Sequence, residues 1–310
     1  MTILLWVGIL VISLGALVWA SGLLINSAER IGLRLGMAPF VVGILVVGFG
    51  TSVPELVSSV YAALAGETEI VVGNVLGSNI TNILLVLGIA GLVGRRARLN
   101  RDLLYIDLPM VLGSAILLGF LIVDGSVTRM DAWFCIVGAG IYVYSALTTD
   151  VESAGQTHEA ERLSVGIWLR LFASLGLIIL GAKYTVDAVV VLAVGLDLGT
   201  EVIALSAVAL GTSLPEIVVA TTAARQGKIE LAVGNIMGSN VFNAFAVMGL
   251  PGVITPLVVP QEVIAFSMPV FIAVTVLYVL ITVDGRINRF EGALLLLFYA
   301  YFIGHLYHLA

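Results

Sequence analysis

Apolar runs of 18 or more residues recur along almost the whole chain, and they leave a polypeptide few folds to choose from. Ten are present, at about 2–28, 38–65, 70–93, 103–123, 128–148, 164–193, 200–224, 229–252, 260–283 and 287–308. Each is long enough to cross roughly 30 Å of hydrocarbon as a helix. The alternating polarity of a transmembrane barrel is absent. Hydrophobic residues make up 60% of the chain and charged ones 11%, where soluble domains carry about a quarter charged. The reading is an all-α membrane protein of ten transmembrane helices.

Basic residues orient it. With the N-terminus outside, twelve Lys and Arg fall on cytoplasmic loops and helix ends, Arg129 alone falls on the other side, and Lys183 lies within a span. That positive-inside bias predicts both termini outside. Val18 and Ala20 resemble a signal-peptide cleavage pattern, but no basic residue precedes the first run, and its length argues against removal. The single Cys135 reads as packing. Residues 149–163 read as a hydrophilic cytoplasmic connector between a first half, 1–148, and a second, 164–310.

The halves are related. GTSVPEL (50–56) and GTSLPEI (211–217) align at an offset of 161, and so do GNVLGSNITN (73–82) and GNIMGSNVFN (234–243). One offset for both motifs implies internal duplication. Asp124-Gly125 and Asp284-Gly285 mark matching turns. Five spans per unit is odd, so the second copy enters the membrane from the opposite side. Inverted five-helix repeats of this kind are typical of secondary transporters, whose substrate site lies near the midplane.

The motifs carry oxygen ligands. Pro54 and Pro215 cannot donate to the carbonyls of Gly50 and Gly211, which loosens the backbone oxygens around Gly-Thr-Ser. Glu55 and Glu216 follow at membrane depth, where a carboxylate is costly and generally functional. Thr51, Glu55 and Ser59 share a helix face with Ser52 beside them, and Thr212, Ser213 and Glu216 match them. Asn74, Ser78 and Asn82 line a face of the third span, and Asn235, Ser239 and Asn243 a face of the eighth. Gly73 and Gly77, like Gly234 and Gly238, have the spacing that lets helices approach closely. An all-oxygen set with two carboxylates suits a hard cation, calcium above all. His158, His305 and His308 fall away from the motifs and read as solvated or interfacial.

Plainer readings apply to other residues. Ser58, Ser59, Thr221 and Thr222 read as bonding back to their own helices. Lys183 and Asp187, four apart, read as a mutual pair in preference to an ion path. No HExxH motif supports a membrane hydrolase, and a channel would build its pore ring from several subunits.

The duplicated G-T-S-x-P-E and G-N-x-x-G-S-N motifs resemble those of the calcium/cation antiporters, in particular the prokaryotic sodium/calcium exchangers, over nearly the whole chain. The resemblance implies an antiporter of a prokaryotic inner membrane that exchanges calcium for sodium, with protons as the alternative coupling ion. It implies no cofactor, no nucleic-acid partner and no enzymatic activity. By resemblance the site takes the Gly48 carbonyl, Thr51, Ser52, Glu55, Ser78 and Asn82 from one half. The other half supplies the Ala209 carbonyl, Thr212, Ser213, Glu216, Ser239 and Asn243. The family moves spans one and six across the remaining bundle. One departure stands out: relatives often carry aspartate where this chain has Asn243.

Overall fold

The computed structural model describes residues 3–94, 101–149, 164–195, 212–283, 285 and 287–309. Its helices are α1 (Ile3–Arg34), α2 (Pro39–Thr51), α3 (Val53–Ala65), α4 (Thr68–Val93), α5 (Arg101–Ile122) and α6 (Arg129–Thr149). They continue as α7 (Val165–Gly195), α8 (Leu214–Arg225), α9 (Ile229–Ile254), α10 (Val263–Thr282) and α11 (Arg289–Leu309). Among the described residues, six helices are long and apolar enough to cross a membrane, and the bent pair α2–α3 makes a seventh span if counted as one. Most of the connector, the first part of the predicted run 200–224, His158, Ala209 and Asp284 lie outside the described residues.

The central elements are α4 and α9, whose most apolar stretches are 78% and 94% buried, against 17% for α1 and 28% for α7. Helices α4 and α9 start and end 161 residues apart, and each contains a π-helical turn at matching positions, Asn82–Val86 and Asn243–Val247. A π-turn widens the helix locally and is frequent at functional sites. Here it begins at the last Asn of each second motif.

Close packing in the centre depends on glycine. A Cβ on Gly234 would lie 2.3 Å from the Phe40 carbonyl oxygen, and one on Gly238 would lie 2.5 Å from that of Ile44. The GxxxG reading therefore holds for α9 against α2. For Gly73 and Gly77 no described residue comes within 4 Å of such a Cβ.

The all-α expectation needs a small correction. Ser126–Val127 (β1) pairs antiparallel with Leu257–Val258 (β2). Backbone leaving the Gly125 turn (φ +89°) must satisfy its polar groups. The ribbon does this, and the Gly125 carbonyl accepts from the Val259 amide. Gly285 (φ +72°) marks the corresponding turn, with its amide on the Thr282 carbonyl.

A second correction concerns Lys183 and Asp187, which form no ion pair. The Lys183 ammonium lies 5.8 Å from the Tyr184 ring centroid instead, as a long exposed side chain can. His305 packs its ring on Phe266, 4.2 Å between centroids.

Candidate cation site

Two chain breaks build the site. The chain bends by 41° between α2 and α3, with Ser52 as the joint. Pro54 then sits in the first turn of α3, where a missing N–H costs nothing, and Glu55 follows in the same turn. The start of α8 repeats this with Ser213, Pro215 and Glu216. Each carboxylate thus belongs to the first turn of a helix, at the positive end of its dipole, which offsets part of its burial cost. The prolines do more than loosen carbonyls, because they place both glutamates at helix starts.

Both glutamates are enclosed, Glu55 at 1% and Glu216 at 0% exposure. The Ser52 hydroxyl, from the first half, donates to Glu216 Oε1 at 3.2 Å. Thr51 Oγ1 donates to Asn235 Oδ1 at 3.2 Å, and Thr212 Oγ1 donates to Asn74 Oδ1 at 3.4 Å. These two bonds are one contact made twice with the partners exchanged, which is what a two-fold axis produces. Ser78 Oγ and Thr212 Oγ1 lie 3.3 Å apart.

The Gly48 carbonyl accepts from the Ser239 hydroxyl of the other half at 3.1 Å, and it is the alternative acceptor, at 3.2 Å, for the single proton of the Thr51 hydroxyl. It closes the π-turn Gly43–Gly48, and a Cβ there would lie 2.9 Å from the Asn235 carbonyl oxygen. Only glycine lets the two backbones meet so closely. Ser213 and Asn243 are also buried in this region's helices. The Ala209 carbonyl lies outside the described residues.

Several oxygens have no partner: both of Glu55, Oε2 of Glu216, and Oδ1 of Asn82 and of Asn243. The Asn243 amide nitrogen is unpartnered as well. Buried, unpaired oxygens are expensive and call for an explanation. A hard cation would satisfy several at once. No group of three or more His, Cys, Asp or Glu forms among the described residues, so the local charge comes from the two glutamates.

Sequence reasoning missed three buried residues. Asn79 Nδ2 donates to the Asn240 carbonyl at 3.2 Å, and Asn82 Nδ2 donates to Asn240 Oδ1 at 3.1 Å, stitching α4 to α9. The signal was present, since Asn79 and Asn82 are three apart on one helix face. Asp107, 7% exposed on α5, is a third buried acid among the described residues and does not join the pair. Of the residues read as structural, Ser58 bonds back to the Glu55 carbonyl at 3.0 Å. Ser59 instead accepts from Asn74 Nδ2 at 3.0 Å, and Thr221 Oγ1 has no partner.

The stitch predicts an effect on stability. Asn240→Ala strands the Asn82 amide and should cost about 1–3 kcal/mol. Thermal unfolding in detergent, against the wild type, checks it.

The family model described as sodium/calcium exchanger protein matches residues 5–148 and 166–307. The chain belongs to the sodium/calcium exchanger family. This exchanger is 32% identical to the sodium/calcium exchanger MaX1 of Methanosarcina acetivorans, over 97% of this chain and 98% of that one. It is 33% identical to the inner membrane protein YrbG of Escherichia coli, over 90% and 89% of the two chains. Its fold is similar to that of the sodium-calcium exchanger NCX_Mj, with a TM-score of 0.86, 27% identity and coverage of 98% and 100%. It is thus a multi-pass membrane protein built for cation antiport.

Proposed function

We propose that this exchanger trades calcium for sodium by alternating access, through one central site shared by two inverted five-helix halves. The observation that carries the reading is the pair of enclosed glutamates, one from each half, with both oxygens of Glu55 and Oε2 of Glu216 lacking protein partners. Two ionised carboxylates give the site a formal charge of -2, and closing it empty costs on the order of several kcal/mol. One calcium neutralises it, and so do two sodium ions or two protons. The carrier therefore changes sides only when loaded, which makes it an exchanger and not a leak.

Hydroxyls and amide oxygens of Thr51, Ser52, Ser78, Asn82, Thr212, Ser213, Ser239 and Asn243 support sodium as the counter-ion, together with the carbonyls of Gly48 and Ala209. The name of the relative MaX1 supports the same choice. The basic residues support both termini outside, and the name of YrbG supports an inner membrane. In the direction proposed, sodium entry expels calcium.

The test is calcium-45 uptake into proteoliposomes driven by a sodium gradient, at fixed pH with a protonophore present. Sodium-driven uptake is expected. Uptake that follows a pH gradient alone would assign proton coupling instead. Asn243→Asp adds a charge to the site, and should shift ion coupling or pH dependence in the same assay. An unchanged profile would remove Asn243 from the ligand set.

A further inference from the structure

Away from the cation site, one polar cluster joins two bodies of the molecule. Helices α1 and α7, of 32 and 31 residues, pack chiefly on each other. Thr185 Oγ1 donates to Ser13 Oγ between them at 2.8 Å, and Gly181 abuts Leu17. Their low burial beside α4 and α9 makes them a peripheral pair resting on a central bundle. Lys228 crosses from the bundle to the pair. Its Nζ lies 2.7 Å from Glu29 Oε2 and 2.9 Å from Asn26 Oδ1, both on α1. Beside this contact lies a cavity of about 300 Å³ lined by Glu29, Pro39, Lys228 and Glu230, among others.

The duplication shows that the contact exists at one end only. Lys228 (φ -92°, ψ 58°) caps the start of α9 after Gly227, at φ +79°. Glu67 (φ -86°, ψ 58°) caps the start of α4 after Gly66, at φ +86°. The two residues are 161 apart and hold the same local position. At that offset Asn26 corresponds to Asp187 and Glu29 to Val190. One end sets an ammonium against a carboxylate and an amide; the matching positions at the other end hold a carboxylate, a second carboxylate and an apolar side chain.

We propose that the Lys228–Glu29–Asn26 contact is a one-ended tie that biases the carrier toward the conformation seen here. Losing it frees the α1–α7 pair and raises the share of the mirror conformation. A partly exposed ion pair is a modest lever, so the expected shift is about threefold. The effect on transport rests on the exchanger reading, whereas the effect on shape does not.

Two readouts separate these. Spin labels at the exposed positions Arg30 and Arg225, in a Cys135→Ser background, report the distance between α1 and the bundle. The wild type should show one dominant distance and Lys228→Ala a second. The charge swap Glu29→Lys with Lys228→Glu should restore the first. Glu67→Lys, which supplies a cation for Asp187 if the mirror conformation brings the two together, should enlarge the mirror population like Lys228→Ala. In right-side-out and everted vesicles, Lys228→Ala should move the calcium half-saturation in opposite directions on the two faces, by about threefold. Identical distance distributions in the wild type and Lys228→Ala, or a swap that fails to restore the first distance, overturn the tie. A distance response without calcium flux in the wild type keeps the tie and removes the exchanger reading.

Discussion

Glu55→Gln or Glu216→Gln should abolish calcium exchange, with a loss of at least about 100-fold, while the protein remains folded. The substitution keeps the size of the side chain, and a glutamine at 216 still offers an oxygen to the Ser52 hydroxyl. Only the charge is lost. A unit charge about 4 Å from another contributes about 4 kcal/mol at an effective dielectric constant of 20, and calcium feels it doubly. A site of formal charge -1 no longer neutralises calcium, so the loaded carrier meets the barrier that otherwise stops the empty one. Calcium-45 exchange in proteoliposomes, with size-exclusion elution as the check on folding, measures it. Full transport in either variant would remove that glutamate from the site.

Gly238→Ala should be nearly as damaging for a different reason. The added methyl would lie 2.5 Å from the Ile44 carbonyl oxygen and 2.7 Å from its Cα, and these are backbone atoms that cannot swing aside. Helix α9 must then separate from α2, which draws Ser239 away from the Gly48 carbonyl. Overpacking of this kind costs about 1–3 kcal/mol in a well-packed core. Exchange should fall with it, because two of the proposed ligands are pulled apart. Gly140→Ala, where nothing lies within 4 Å, is the control and should leave both thermal stability and transport unchanged.

Of the ten runs read as spans, six helices and the bent pair are long and apolar enough to cross among the described residues, and they were legible because a bilayer imposes length and apolarity on anything that crosses it. The glutamates were legible because a charge beside a proline is out of place there, and its repetition at one offset makes accident untenable. Contacts between distant segments were not. Lys228 and Glu29 are 199 residues apart, and nothing local to either announces the other. The π-turns that begin at Asn82 and Asn243 have no marker in the composition. Lys183 and Asp187 have the spacing of an ion pair, yet spacing does not determine where a long side chain points. Asp107 was visible inside a hydrophobic run and was overlooked because it belongs to neither motif.

The central claim is that Glu55 and Glu216 together make one calcium site. Equilibrium binding of calcium-45 to the purified protein, without a membrane gradient, tests it apart from transport. The wild type should bind one calcium per chain, and Glu55→Gln and Glu216→Gln should each lose that binding. Two independent sites, each abolished by only one of the substitutions, would contradict it.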